Sequence, residues 1–261
     1  MKNFSNIILT QTKDGIARLT LNEPKTYNAL SFDMIRSLLQ ILKKLNKDKK
    51  VKVIIIEGSG KGFSAGHNLK ELRSLKGKPQ YKKIFTLCSD LMMEITFNNK
   101  PVIAKVHGAA FAAGCQLVAS CDLAFSTKEA IFSTPGVNIG LFCSTPMVAL
   151  SRKVNRKISM KMLLTGEHIS ADYAKEIGLI NDCYKSTNLE DEVIKIAKKI
   201  TSKSSLVLKI GKKAFYNQLE MPIKTAYKYT SKIMTENMMT LDAKEGINSF
   251  LEKRSPNWKN K

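Results

Sequence analysis

Two glycine-rich turns are the segments of this sequence best suited to chemistry. GFSAGHNLKEL (residues 62–72) and HGAAFAAGCQL (residues 107–117) each follow a predicted strand and lead into a predicted helix. Backbone N–H groups at the start of a helix lack intrahelical partners, and the helix dipole favours negative charge there. Two such groups that converge on one point form an oxyanion hole. We therefore expect the two turns to bind a polarised carbonyl oxygen.

Other types of site find little support in the sequence. It contains neither GxxxxGK[ST] nor GxGxxG, so a nucleotide-binding loop is not expected. The cysteines form no CxxC pair, and no histidine is spaced to complete a metal site. We predict reduced core thiols, no protein-borne metal and no permanently bound cofactor. The residues concerned are Cys88, Cys115, Cys121, Cys143, Cys183, His67, His107 and His168.

The elements that must position the turns alternate between strand and helix. Residues 15–22, 51–60 and 100–110 have strand patterns, and residues 31–48 and 81–96 have helical patterns. This alternation predicts an α/β core.

The final third of the chain is predicted to be helical. We assign residues 1–200 to the core and residues 201–261 to a helical C-terminal region. Within that region, the predicted helix around residues 225–239 carries a stripe of tyrosine and methionine, which indicates core packing or a subunit interface. The predicted helical segments are residues 160–166, 170–180, 190–202 and a long run over 204–253.

The chain is strongly basic, with 43 Lys and Arg against 22 Asp and Glu and a net charge of +21. The electric field of such a positive charge attracts polyanions, so RNA, an anionic membrane and a phosphorylated cofactor are all candidate partners. The lysines are spread along the chain without interleaved aromatic residues, which favours solvated helix faces.

The sequence also allows an expectation about the cellular compartment of the protein. No apolar run approaches the roughly 18 residues of a membrane span, and residues 1–15 show neither a secretory nor a transit pattern. We expect no membrane partner and a cytoplasmic location, or the mitochondrial matrix if the organism is eukaryotic.

Six segments together resemble the enoyl-CoA hydratase/isomerase (crotonase) superfamily, in order over nearly the whole chain. Two shorter pieces, AAGCQLVASCD and TPGVNIGLFCSTP, are similar to its enoyl-CoA hydratase domain-containing protein 3 group. The six segments are PKTYNALS, GFSAGHNLKEL, KPVIAKVHGAAFAAGCQLVASCDLAF, FSTPGVNIGL, LLTGEHISADYAKEIGLIN and FLEKRSPNW.

The resemblance implies a fold, an assembly and a ligand. The fold is a ββα spiral core with a helical C-terminal trimerisation region, and the assembly is a homotrimer or a dimer of trimers. The ligand is an acyl-CoA thioester bound between core and tail, with coenzyme A as part of the substrate. The reaction class is stabilisation of a thioester enolate.

The resemblance also implies site residues. The two oxyanion-hole N–H groups fall on His67 and Ala113, with Gly66 and Gly114 beside them. Phe250 and Lys253 match tail residues that reach CoA, in the same or the adjacent subunit. The remaining CoA-contacting positions are Lys25, Ala29, Leu30, Asn68, Leu69 and Lys70.

The sequence departs from the family where hydration needs carboxylates. Hydratases of this family carry one Glu in a GGCEL turn and a second in a PE step, and together these activate water. The present chain has Gln116 and Gly136 at these positions. General acid–base groups each supply about 10²- to 10⁴-fold, so ordinary hydration at a metabolic rate is not expected. A non-catalytic acyl-CoA binder and an RNA-binding homologue are the alternatives.

Five residues have side chains that could take part in catalysis. The His67 side chain either reaches the acyl group or points away from it. Cys143 and Ser144 are candidate nucleophiles, although packing or substrate lining is the favoured interpretation. Asp122 is expected to be structural, and Glu71 is expected to be a surface or salt-bridge group.

Overall fold

The computed structural model describes residues 6–261. The prediction that residues 1–15 carry no leader falls partly on residues 1–5, which lie outside the described residues. The strands are β1 Ile7–Gln11, β2 Ile16–Leu21, β3 Val53–Gly58, β4 Val102–Val106, β5 Ala109–Phe111, β6 Leu123–Thr127, β7 Ile131–Ser133, β8 Ile169–Ser170 and β9 Asp182–Tyr184. The helices are α1 Phe32–Lys47, α2 Leu69–Ser74, α3 Lys78–Phe97, α4 Ala113–Ser120, α5 Pro146–Leu150, α6 Arg156–Thr165, α7 Ala171–Glu176, α8 Leu189–Thr201, α9 Ser205–Leu219, α10 Ile223–Met238 and α11 Leu241–Leu251.

A six-stranded sheet in the order β1-β2-β3-β4-β6-β9 forms the centre of the core. All neighbouring strands are parallel except β1, which runs antiparallel to β2. Along β3, Ile54 and Ile56 face the main core, whereas Val53 and Ile55 face the cluster that includes α8. Both faces of the strand are therefore buried, as expected for a parallel sheet. The predicted α/β core is confirmed.

The predicted strand over residues 100–110 is wrong in its extent, because it is two strands. β4 ends at Val106, and β5 joins a separate three-stranded sheet in the order β5-β7-β8. Between them, Gly108 adopts a φ of +57°, and a Cβ there would lie 2.2 Å from the carbonyl oxygen of Lys61. Only glycine fits this turn, which carries the chain from one sheet to the other.

The helical C-terminal region is confirmed, but the predicted single run over residues 204–253 consists of α9, α10 and α11. Pro222 immediately precedes α10, where its fixed φ suits a helix start and its missing N–H costs nothing. The Thr240 side chain accepts a hydrogen bond from the backbone N–H of Ala243 and caps α11. Among the described helices, none is long and apolar enough to cross a membrane.

A buried ion pair fastens α9 to the core. Lys212 Nζ lies 2.6 Å from Asp122 Oδ2, and the Tyr216 hydroxyl donates to Asp122 Oδ1 at 2.9 Å. Lys212 also donates to the carbonyl oxygens of Ile95 and Lys100, at 3.1 and 3.0 Å. Burial lowers the pKa of Lys212, but its partners satisfy all three donors. The expected structural role of Asp122 is confirmed.

Apolar side chains on the outer helices are exposed in the single chain. Ala226 is the only buried residue of α10, whereas Tyr227, Met234 and Met239 are 73%, 64% and 71% exposed. The tyrosine and methionine stripe is therefore not part of the core of its own chain. Large exposed apolar surfaces of this kind mark interaction sites, so a subunit interface stays a prediction.

Replacing Lys212 should destabilise the protein. Lys212→Met leaves the carboxylate of Asp122, whose side chain is 17% exposed, without its cation. Breaking a buried pair costs about 3–5 kcal/mol, and this largely buried pair should fall toward the lower end of that range. The measurement is the free energy of unfolding in urea at a fixed protein concentration. Lys213→Met, at the adjacent exposed position of α9, is the control and should change stability little. Equal stabilities of the two variants would contradict the anchoring role of the pair.

Candidate functional site

Three stretches of backbone meet at the candidate site: residues 27–30, 62–68 and 109–114. Ser64 pairs with β5, because its N–H donates to the carbonyl oxygen of Ala109 at 3.0 Å and its own carbonyl accepts from Phe111 N–H at 2.9 Å. The N–H of Leu30 donates to the carbonyl oxygen of Gly66 at 2.7 Å. The two glycine-rich turns predicted from the sequence are thus brought together by backbone hydrogen bonds.

Asn28 holds the first of these stretches in place, although sequence reasoning did not identify it. Its backbone is left-handed, with a φ of 53°, and its side chain is fully buried. Its Oδ1 accepts from the N–H of Glu23, and its Nδ2 donates to the carbonyl oxygens of Ser59 and Gly62. Asparagine tolerates this backbone region better than most residues, which is a signal that the motif YNAL contains.

The two turns approach so closely that there is no room for side chains at two glycines. A Cβ on Gly66, whose φ is +88°, would lie 2.8 Å from the carbonyl oxygen of Phe111 and 3.2 Å from the nitrogen of Ala113. A Cβ on Gly114 would lie 2.3 Å from the carbonyl oxygen of Ser64. Glycine at both positions therefore permits the close packing of backbone on backbone.

Two N–H groups beside these glycines have no acceptor within residues 6–261. They belong to His67 and to Ala113, the first residue of α4, whose N–H has no intrahelical partner. The preceding residue, Ala112, has a φ of 48° although it is not glycine. Strain of this kind is found where the surrounding structure imposes an orientation, and functional sites are common examples.

The His67 imidazole is packed within the protein. Its Nδ1 lies 3.2 Å from the carbonyl oxygen of Leu30, and its ring meets that of Phe85 edge-on, with 5.4 Å between centroids. Burial lowers the pKa of His67, so the neutral form predominates at neutral pH. With Nδ1–H donating to Leu30, Nε2 is a buried acceptor that has no donor among the described residues.

The structure accommodates both departures from the hydratase pattern. Gln116, one turn after Ala113 on α4, is 4% exposed, and its Oε1 receives no hydrogen bond from the described residues. At Gly136, a Cβ would lie 2.5 Å from the carbonyl oxygen of Leu141 and 2.9 Å from Cys143 Sγ. Any side chain at position 136 would therefore require residues 141–143 to move.

Outside the C-terminal tail, the predicted CoA-contacting residues lie in two regions of the chain, residues 25–30 and 68–70. Asn68 caps α2 by accepting from the N–H groups of Lys70 and Glu71, and Leu69 and Lys70 are exposed beside it. Lys25 is exposed, whereas Ala29 and Leu30 are buried and can offer only backbone atoms.

The two predicted tail residues belong to the C-terminal helices. Phe250 lies on α11 and is 82% exposed. Lys253 follows α11 with a φ of 53°. α11 itself packs against α9 and α10.

The expectation for Glu71 is wrong. Its carboxylate oxygens accept from the N–H of Phe32 at 3.0 and 3.2 Å, at the first residue of α1. This position complements the positive end of the helix dipole, and it ties α2 to the start of α1.

The cysteines lie in apolar surroundings. All five are free and buried, and burial raises the pKa of Cys143. The thiolate needed for nucleophilic attack is therefore disfavoured. Ser144 is exposed, and its hydroxyl donates to the carbonyl oxygen of Phe142 at 3.3 Å. Within residues 6–261, no three His, Cys, Asp or Glu side chains are grouped as metal ligands.

An apolar cavity of about 530 Å³ lies along α4, the helix that begins at Ala113. Its wall comes from α3, α4, α9 and the segment around α5. Gln116 contributes to this wall, together with Met92, Phe97 and Tyr216. The residue in place of the first hydratase carboxylate therefore lines a space large enough for a small ligand.

Comparison with known proteins identifies the family. A family model described as enoyl-CoA hydratase/isomerase matches residues 11–261. Enoyl-CoA hydratase domain-containing protein 3, mitochondrial, of Mus musculus is 46% identical over 95% of this chain and 83% of the relative. The crystal structure of the human protein of that name has 46% identity and a TM-score of 0.94, and covers 97% of this chain and 100% of that one. An enoyl-CoA hydratase from Mycobacterium smegmatis has 45% identity and a TM-score of 0.95, with coverage of 97% and 98%.

These matches confirm the resemblance drawn from the motifs, including the similarity to the domain-containing protein 3 group, and they confirm the crotonase-like fold. The chain belongs to the enoyl-CoA hydratase/isomerase family.

Proposed function

We propose that this protein binds an acyl-CoA thioester and stabilises its enolate through the backbone N–H groups of His67 and Ala113. The observation that carries the proposal is that these two N–H groups lack acceptors and stand on turns packed too closely for a Cβ. Family membership supports the same ligand class.

The proposed chemistry follows from where charge develops. When a thioester loses a proton or another group from its α-carbon, negative charge moves onto the carbonyl oxygen. Two fixed N–H donors stabilise that oxygen without reorganising, and each donor is worth about 10²- to 10³-fold. The N-terminus of α4 adds its dipole at Ala113.

Ordinary hydration is not part of the proposal. A Gln116 amide orients a hydroxyl or a water but does not take up its proton, and Gly136 supplies no side chain. The reactions that remain are those that need no water activated by this pair, such as isomerisation or decarboxylation, and thioester hydrolysis by another acid or base. Non-catalytic acyl-CoA binding is the second candidate, and the same two residues favour it.

The CoA moiety is assigned to the exposed groups around the site. Lys25 and Lys70 offer cations for its phosphates, and Asn68 and Leu69 lie beside Lys70. Phe250 and Lys253 are proposed to reach CoA from the same or a neighbouring subunit.

Assembly and location are proposals as well. The exposed apolar face of α10 supports a homotrimer or a dimer of trimers. The relative from Mus musculus is named as a mitochondrial protein. For the present chain, the cytoplasm or a mitochondrial matrix is proposed. RNA binding, suggested by the net charge, stays a prediction.

Hydration of crotonyl-CoA tests the role of the missing carboxylates. The wild type should be near background, and Gln116→Glu should raise the rate by about 10²-fold, because one acid–base group is returned. Adding Gly136→Glu should bring no further gain, since the new Cβ meets Leu141 and Cys143. The measurement is the loss of enoyl-thioester absorbance.

Gln40→Glu, at an exposed position of α1, is the matched control for added charge. Rapid turnover by the wild type would contradict the argument that water activation is lost. If every variant still binds the thioester and none turns it over, the result would favour the non-catalytic candidate.

Two glycine substitutions test the close packing of the turns. Gly114→Ala places a methyl group 2.3 Å from the carbonyl oxygen of Ser64, so it should cost about 1–3 kcal/mol of stability and weaken acetyl-CoA binding at least about tenfold. Gly211→Ala, where no atom lies within 4 Å, should leave binding unchanged and stabilise α9 by about 0.5–1 kcal/mol. Calorimetry gives the affinities and urea unfolding the stabilities. Unchanged binding by Gly114→Ala would contradict the proposed site.

Light scattering tests the assembly. The measured mass should be about three or six times the chain mass of 29.2 kDa. Tyr227→Glu should lower it, because burying an unpaired carboxylate in an interface is costly. Thr225→Glu, on the opposite side of α10, should leave the mass unchanged. A wild-type mass of one chain would rule out the proposed trimer.

A further inference from the structure

The cavity beside Gln116 has a mostly apolar wall that also carries a net positive charge. Met92, Met93, Phe97 and Leu219 supply apolar surface, which suits an acyl chain. Three charged side chains also line it: Arg152, Lys153 and Glu220. Among these, cations exceed anions by one.

Lys153 is the cation without an anionic partner. Arg152 pairs with Glu220, with 3.2 Å between Nε and Oε1. Lys153 instead lies over the ring of Tyr216, with Nζ 5.4 Å from the centroid, and it forms no ion pair with any residue the structure describes. Lys153 is half-buried and its ammonium group lies beside an aromatic face, so a carboxylate should bind Lys153 more strongly than it would bind a fully exposed lysine.

The neighbouring anion cannot serve Lys153. Asp122 is held by Lys212 and by the Tyr216 hydroxyl. Burial, together with the nearby charge of Lys153, lowers the pKa of Lys212. Lys153 therefore adds a positive charge beside an ion pair that is already complete, and a further carboxylate would offset that charge.

The cavity also lies along the helix that starts at the proposed reaction site. Gln116 stands one helical turn after Ala113, and residues three apart lie on the same face of a helix. A thioester whose carbonyl oxygen meets the N–H of Ala113 would therefore have its acyl chain beside Gln116, at the cavity wall.

We propose that this cavity receives the acyl chain and that Lys153 selects chains ending in a carboxylate, so that the preferred ligand is the CoA thioester of a dicarboxylic acid. The inference rests on the acyl-CoA binding proposed above. A methyl-ended chain leaves Lys153 unpaired, whereas a carboxylate at the chain end meets a cation in surroundings of reduced polarity.

The test compares affinities for two CoA thioesters of equal chain length, one methyl-ended and one carboxyl-ended, by calorimetry. The wild type should bind the carboxyl-ended thioester about tenfold more tightly. Lys153→Met keeps an unbranched apolar stem over Tyr216 and removes the charge, so the preference should vanish or reverse. Lys153→Gln should lose the preference too, and Lys157→Met, at an exposed position of α6, should keep it.

The outcomes separate the two proposals. Equal affinities, or tighter binding of the methyl-ended thioester by the wild type, would overturn selection by Lys153 while leaving acyl-CoA binding intact. A preference that survives both Lys153 variants would also overturn it. If neither thioester nor CoA itself binds the wild type, the proposed function fails, and this inference fails with it.

Discussion

The contact between the two glycine-rich turns is the constraint on which the candidate site depends. Backbone meets backbone there, since neither Gly66 nor Gly114 has space for a Cβ. The parallel sheet delivers both turns to one place, and Asn28 fixes the third stretch against the first turn. This packing fixes the positions of the N–H groups of His67 and Ala113. The proposed oxyanion hole is therefore built from main-chain atoms and does not depend on a particular side chain.

The sequence predicted the turns and the α/β core because these depend on local signals. Strand patterns and glycine spacing are local, and β2, β3 and β4 were all predicted. The break between β4 and β5 was missed, because it depends on Gly108 meeting Lys61, forty-seven residues earlier in the chain. Glu71 was misassigned for a similar reason, since its acceptor role requires the start of α1 to lie beside α2. Pro222 was a local signal for a break that the long helical assignment overlooked.

The anchoring of α9 links stability to the shape of the cavity. Asp122 receives both Lys212 and Tyr216 from this helix, and Tyr216 is also part of the cavity wall. The helix that closes the cavity is thus held by a polar network rather than by apolar packing alone, since Ala214 is its only buried residue. Polar contacts of this kind require defined geometry, which keeps the wall in one position.

The segment that packs over Gly136 limits which residues position 136 can accept. The N–H of Leu141 donates to the carbonyl oxygen of Gly136, and the carbonyl oxygen of Leu141 lies 2.5 Å from the position that a Cβ on Gly136 would take. An acidic residue at this position would also need residues 141–143 to be repacked. A second carboxylate at position 136 would therefore have to evolve through coordinated substitutions rather than through a single one.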